Sequence, residues 1–385
     1  MSKDNKYIPS GYKPSPLGPI PEDWEVKRLG KICTHFKSGN TITSIDIHDD
    51  GLYPVYGGNG LRGYANTFTH DGNYILIGRQ GALCGNINYV EGKNYISEHA
   101  IAVQTNENMQ WLKYKLENWN LIRFSESSAQ PGLSVEKLVR YKLVIPTRLE
   151  QNKIADILQL WDTAIAKQTA LIEQLTLRKR GLMQQLLTGK KRLKGFEGGN
   201  FHRLGNYISE CNRRNVGCNR VLSVTNTKGF ILQEEQFDKI VASNDTSNYK
   251  VVRRGEFAYN PSRVNVGSLA MLKEYDEGIL SPMYIVFKAN ENIDKTYLLQ
   301  CLQSWWFRGH IPAYTQGSVR DSLSFDGLCS MKFYIPTLQE QKAISAILER
   351  ADKEIEIQKQ KLTAMQEQKK GLMQVLLTGK KRIKQ

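Results

Sequence analysis

The sequence predicts a mixed α/β (α+β) protein in which two globular recognition domains sit at opposite ends of a long antiparallel two-helix coiled coil, with approximate two-fold symmetry. Three observations predict it. Residues 145–194 and 335–384 align without a gap at an offset of 190, with about half of the positions identical. Both copies carry apolar residues at heptad spacing. The stretches between them carry short β-type apolar runs bounded by Gly, Asn or Pro.

The repeats begin Ile145-Pro146-Thr147 and Ile335-Pro336-Thr337 and end in Leu-Leu-Thr-Gly-Lys-Lys-Arg. Thr147 with Glu150, and Thr337 with Glu340, have capping-box spacing: each threonine accepts from a free N–H and each glutamate is expected to answer back. Gly189 and Gly379 suit the left-handed position after a helix, and the cations that follow suit its negative end. Roughly 40 residues at 1.5 Å each make a rod about 60 Å long.

The predicted seam is Ile154, Leu158, Trp161, Ile165, Ile172, Leu175, Leu182 and Leu186, matched by Ile344, Leu348, Ala351, Ile355, Leu362, Met365, Leu372 and Leu376. Gln168 and Gln358, and Lys179 and Lys369, interrupt it at matching places, either as tolerated polar positions or as devices that forbid sliding. Chain order sets the direction. A compact domain that leaves the end of one rod and returns at the start of the other requires antiparallel helices.

The expected divisions are a first recognition domain over 1–145, a helical region over 146–194, a second recognition domain over 195–334 and a second helical region over 335–385. Strands are expected at Tyr74–Ile77, Ala100–Val103, Met283–Phe287 and Phe333–Ile335, and helices near 109–124 and 294–307. Short echoes join the heads: Arg28-Leu29-Gly30 with Arg203-Leu204-Gly205, and Leu133–Leu138 with Leu323–Leu328.

A formal charge of +15 invites a polyanionic partner. Most of that excess lies in the two helical regions, so the heads bind nucleic acid only if they segregate their charges. The loops with suitable chemistry are 56–64 and 78–82 in the first head, and 259–267 and 314–320 in the second. Their candidate contacts are Tyr56, Asn59, Arg62, Arg79 and Gln80, then Tyr259, Asn260, Arg263, Asn265, Gln316 and Arg320. Arginine bonds guanine bidentately, Asn and Gln do so with adenine, and glycine lets backbone approach phosphate. Each such residue alone also suits an ordinary polar loop. Lys190, Lys191 and Arg192, with Lys380, Lys381 and Arg382, are candidate phosphate clamps beside the heads; capping the helix end is their alternative role.

Other chemistries fit poorly. The six cysteines and six histidines show no ligand spacing, so no metal is expected and the thiols read as reduced, in keeping with a cytoplasmic protein. No segment approaches the roughly 18 uninterrupted apolar residues of a membrane span, and no export signal opens the chain. A methyltransferase would need a cofactor loop and an Asn/Asp-Pro-Pro-aromatic motif, but Asn260-Pro261 continues as Ser262-Arg263. Asp71 with Glu91-Gly92-Lys93 has nuclease-like residue types but reads better as solvated turns. Thr188-Gly189-Lys190-Lys191 lacks a phosphate-loop frame. The surviving rival is an adaptor whose heads bind proteins.

The chain resembles the specificity subunits of Type I restriction-modification systems over essentially its whole length. The resemblance rests on Leu17-Gly18-Pro19-Ile20-Pro21-Glu22-Asp23-Trp24, on Glu150-Gln151 and Glu340-Gln341 behind each Ile-Pro, and on the two helix ends that run from Gly-Leu-Met-Gln to Leu-Leu-Thr-Gly-Lys-Lys-Arg, closing at Arg192 and Arg382. Tyr259–Arg263 through Gly267-Ser268, and Ser281-Pro282-Met283-Tyr284, add to it. It implies two target-recognition domains reading a bipartite duplex site, helical regions setting the spacer, and docking of two methyltransferase subunits and of restriction subunits. It implies adenine-N6 methylation or cleavage performed by those partners, with S-adenosylmethionine, ATP and Mg²⁺ as their cofactors, and neither catalysis nor a cofactor in this chain.

Overall fold

The computed structural model describes residues 8–125, 131–226, 228–236, 245–315 and 322–383. The chain divides into two compact units, Met1–Thr169 with Lys361–Gln385, and Ala170–Gln360. Each unit therefore holds one head and a portion of both long helices.

Those helices run over Arg148–Leu186 and Leu338–Leu376, 39 residues each and so about 58 Å long. At their starts the Thr147 and Thr337 hydroxyls accept the N–H of Glu150 and Glu340 at 3.4 Å. The expected reciprocal bond from each glutamate does not form, because both carboxylates are drawn to partners far along the chain. At their ends Gly189 and Gly379 have φ of 71° and 76°. A Cβ would lie 2.7 Å from the Tyr334 ring in one case and 2.8 Å from Pro21 in the other, so conformation and space both demand glycine.

In the first unit Ile154, Ala155 and Leu158, near the start of the first helix, share a core with Met373, Leu376 and Leu377 at the end of the second. In the second unit Leu186 and Leu187, at the end of the first helix, share a core with Ile344 and Leu348 near the start of the second. Within each unit one helix's beginning lies beside the other's end, so the helices are antiparallel. Ile154, Leu158, Leu186, Ile344, Leu348, Ile355 and Leu376 are buried. Trp161, Ile165, Ile172, Leu175, Leu182, Ala351, Leu362, Met365 and Leu372 are half-buried, whereas the off-seam Leu149, Leu160, Leu171, Leu177 and Ile357 are exposed.

Each head is organised by a four-stranded antiparallel sheet of the same topology. In the first, β1 (Cys33–Ser38), β2 (Tyr74–Gly78), β3 (Ile87–Val90) and β4 (Ala100–Thr105) stand in the order β1-β4-β2-β3. In the second, β5 (Ile208–Glu210), β6 (Phe257–Tyr259), β7 (Leu269–Met271) and β8 (Ile285–Ala289) stand in the order β5-β8-β6-β7. Met283 and Tyr284, expected in the last strand, precede it. Alternate residues serve different cores: Ile75, Ile77, Ile101 and Val103 face the helical side, while Tyr74, Leu76, Ala100 and Ala102 form a second cluster. Burial on both faces explains the uninterrupted apolar runs.

A helix follows each sheet, Met109–Asn118 or Lys295–Gln303, capped by Asn108 or Asp294, whose side chains accept the N–H of Trp111 and Tyr297 at 2.8 Å. The expected continuous helix over 294–307 breaks at Ser304, whose hydroxyl caps a new helix, Trp305–His310. The echo segments occupy equivalent places. Leu133 N–H bonds Arg79 O at 2.8 Å and Leu323 N–H bonds Pro261 O at 3.1 Å, followed by short helices capped by Ser134 and Ser324.

Candidate nucleic-acid interface

The residues that tie each head to the helices decide which polar groups remain free. Glu150 is 6 % exposed; its carboxylate accepts from the Trp24 indole at 2.8 Å and from Arg382 Nε and Nη2 at 2.8 Å. The other edge of the Arg382 fork takes Asp23, at 2.8 and 2.9 Å, which holds the Asp23 carboxyl below its usual range. Glu340, fully buried, accepts from Arg192 Nε at 2.9 Å and Nη2 at 2.5 Å. Arg192 and Arg382 thus depart from the phosphate-clamp expectation: a carboxylate takes one edge of the Arg192 fork, and two carboxylates take both edges of the Arg382 fork. Lys190, Lys191, Lys380 and Lys381 remain exposed.

The neighbouring glutamines do matching work. Gln151 Oε1 accepts the Asn108 N–H at 2.9 Å and Gln341 Oε1 the Asp294 N–H at 2.7 Å, fixing each head's helix to a long helix. Gln151 and Gln341 also donate to Pro146 O and Pro336 O, at 3.0 and 2.9 Å. One rung further along, Lys369 pairs with Asp162 at 2.6 Å and Lys179 with Asp352 at 2.5 Å. Tyr114 donates to Asp162 at 2.6 Å and Gln300 to Asp352 at 3.2 Å. Burial opposes ionisation of Asp162, but Lys369 and Tyr114 outweigh it and hold the carboxyl below its usual range. The two polar seam lysines therefore have fixed partners, and a one-turn slip would strand them.

The aromatic residue over each arginine is exchanged between strands. Strand registers make Trp24 equivalent to Gly199 and Val144 equivalent to Tyr334. Arg382 lies 5.8 Å from the Trp24 ring and Arg192 5.9 Å from that of Tyr334. A Cβ on Gly199 would meet the Tyr334 hydroxyl at 2.6 Å, so the second unit has room for that ring only with glycine at this position.

In the first head, loops 56–63 and 78–82 meet. A Cβ on Gly58 would lie 2.8 Å from His99 O, and one on Gly78 2.8 Å from Gly58 O. Close packing of backbone on backbone therefore requires glycine at both positions. Asn59, Arg62, Arg79 and Gln80 are exposed, and Gln80 Nε2 pairs with His99 Nδ1 at 2.8 Å. Tyr56 is half-buried against the second cluster of this head. Asp71 and Lys93 are paired strand residues beside a turn, and no group of three His, Cys, Asp or Glu among the described residues could hold a metal ion.

In the second head, Tyr259 is fully buried and donates to Leu323 O at 3.2 Å, which removes it from the candidate contacts. Its aromatic, β-compatible side chain serves the core of this head. Asn265 is exposed but its Oδ1 accepts the next N–H, from Val266, at 2.8 Å. Asn260 and Arg263 line a hollow of about 580 Å³ together with Asn226 and Gln233, which sequence reasoning missed because an isolated amide in a turn or at a short helix's start carries no signal. Gln316 and Arg320 lie outside the described residues.

Equivalent loops leave the ends of β2 and β6 on a frame whose buried ion pairs hold helices and heads together, and this defines a duplicated recognition scaffold. The comparisons with known proteins agree. The family described as the Type I restriction modification DNA specificity domain matches residues 21–177 and 225–367. The chain belongs to that family and carries two copies of its domain. In this family it is the specificity subunit, with catalysis residing in the modification and restriction subunits.

The specificity subunit of the EcoprrI Type I restriction enzyme of Escherichia coli is 42% identical over 143 residues, 36% of this chain and 35% of that protein. The MjaVIII specificity subunit of Methanocaldococcus jannaschii is 27% identical over 410 aligned positions, covering 95% of this chain and 94% of that one. The crystal structure of a Type I S subunit from M. genitalium shares the fold, with a TM-score of 0.58 at 14% identity over 92% of this chain and 96% of that chain. A structure described as showing complex assembly and conformational transition of the Type I system matches with a TM-score of 0.59 at 13% identity, over 94% and 99%.

Proposed function

We propose that this chain recognises a bipartite duplex DNA sequence, one half through each head, and directs two methyltransferase subunits and the restriction subunits to it. The observation that carries the reading is the duplication itself. Two heads of one topology present different amide- and arginine-bearing loops at equivalent places, on helices that the Lys179–Asp352 and Lys369–Asp162 pairs keep in register. Divergent loops on a shared frame suit the reading of two different half-sites.

In this reading Asn59, Arg62, Arg79 and Gln80 serve the first half-site, and Asn260 and Arg263 the second. Lys190, Lys191, Lys380 and Lys381 neutralise flanking phosphates. The length of the helical pair sets the spacer, and the partners supply adenine-N6 methylation with S-adenosylmethionine and ATP- and Mg²⁺-dependent cleavage. The setting is the cytoplasm; among the described residues no helix is long and apolar enough to cross a membrane.

Genome-wide mapping of methylated adenines, with this chain and its co-expressed methyltransferase, tests the proposal. A split motif should appear. Exchanging residues 195–334 for another head should change one half only, and inserting a heptad, about 10 Å, into both helices should lengthen the spacer. A change in both halves, or an unchanged spacer, contradicts it.

A further inference from the structure

The geometry points to the hollow of the second head as the place where its half-site is read, with Asn226, Gln233, Asn260 and Arg263 as the specificity-determining side chains. This deepens the reading of the chain as a DNA-specificity subunit and rests on it. The floor is built from buried framework. Ser268 donates to Val224 O at 2.9 Å, which ties the loop after β6 to the hairpin of strands Leu222–Thr225 and Gly229–Leu232. Asn260 Oδ1 accepts the Ser262 N–H at 3.1 Å, and its main-chain oxygen accepts the Arg263 N–H at 3.0 Å, so the loop is preset.

The polar groups above that floor are unspent. Among the described residues, the side chains of Asn226, Gln233 and Arg263 form no hydrogen bond or ion pair, and Asn260 Nδ2 has only the weak acceptor Met283 Sδ, at 3.5 Å. Among the described residues no carboxylate lines the hollow. Elsewhere in the molecule Arg192, Arg213, Arg253, Arg254 and Arg382 are each paired with an acid. Arg308 reaches the rim from the helix Trp305–His310: its guanidinium comes within 3.1 Å of where a Cβ on Gly267 would stand, beside Asn226.

Three amides and a guanidinium with open donors, converging on one hollow, match the edges of purines in a duplex groove. A guanidinium fits O6 and N7 of guanine, and an amide fits N6 and N7 of adenine. Val266 and Met283, 59% and 61% exposed at the same opening, offer the apolar contact that a thymine methyl needs. Arg308 at the rim suits a backbone phosphate.

The test uses the full chain in complex with its methyltransferase subunits. Methylated-adenine maps are compared for the wild type, Arg263→Ala, Gln233→Ala, and Lys273→Ala as an exposed control outside the hollow. Arg263→Ala and Gln233→Ala should each relax one base position in one half-site, with discrimination there falling about tenfold or more. The other half-site and the spacer should stay as they are. Arg308→Ala should lower overall occupancy and its salt dependence without changing the motif. Because these side chains make no internal bonds, all variants should melt as the wild type does. An unchanged motif in both Arg263→Ala and Gln233→Ala overturns the inference while leaving the chain a specificity subunit. Failure of the wild-type complex to modify any split sequence overturns the underlying reading instead.

Discussion

Lys115 is 3 % exposed, and its amine donates to Leu377 O at 2.6 Å, where the second long helix ends. Desolvation pulls its pKa down from 10.5 to about 8. In the unfolded chain the amine keeps its ordinary affinity for protons. Between pH 8 and 10.5 the unfolded state therefore binds more protons than the folded one, and stability should rise with pH across that window. Below pH 8 both states are protonated and the cost of burying the charge is constant. Each pK unit corresponds to about 1.4 kcal/mol, so the gain from pH 8 to pH 10 is at most about 2–3 kcal/mol. Lys115→Met removes the titrating group while filling the space. The assay is denaturant unfolding of both proteins at half-unit pH steps, with the variant subtracted from the wild type so that tyrosine and cysteine ionisations cancel. The difference should climb with pH above 8 and level near 10.5. Parallel profiles for the two proteins would refute the argument, because a lysine with an ordinary pKa contributes no such slope below pH 10.

Three further outcomes follow from the same contacts. Lys369→Met should destabilise the first unit by about 1 kcal/mol or more by leaving Asp162 half-buried without its cation, and a double-mutant cycle with Asp162→Asn should show coupling. Tyr259→Phe should lower stability by about 1 kcal/mol through loss of the Leu323 hydrogen bond and leave the methylated motif unchanged; a motif change would return Tyr259 to the interface. Neutralising Lys190 and Lys191 together should reduce the slope of log affinity against log salt by about 2 if both meet phosphates, measured by DNA-binding titration, and an unchanged slope would leave them as helix-end cations.

Much of the frame was legible because its signals are local. A 190-residue offset, heptad spacing, threonines three residues before glutamates and terminal glycines together specify two helices, their ends and their buried faces. Their opposed direction followed from chain order alone. The residues that carried the family resemblance proved to be joints: Asp23, Trp24, Glu150 and Arg382 bind one another, and Gln151 and Gln341 hold the heads' helix caps.

What the sequence could not decide was which polar groups would be left over for a ligand. Glu150 as a cap partner and Arg382 as a phosphate clamp are sound local readings, yet the two lie 232 residues apart and satisfy each other. Tyr259 beside a polar loop looks accessible, but the strand's alternation turns it into the core. Gly58 and Gly78 look like freely placed loop glycines, yet the close approach of two backbones requires them. Hydrogen-bonding capacity is a property of residue type, readable one position at a time. Whether it is spent inside the protein depends on neighbours that only the folded chain supplies, so the helical frame and the candidates Asn260 and Arg263 could be derived from the sequence, while the gathering of Asn226 and Gln233 beside them in one hollow had to wait for the tertiary structure.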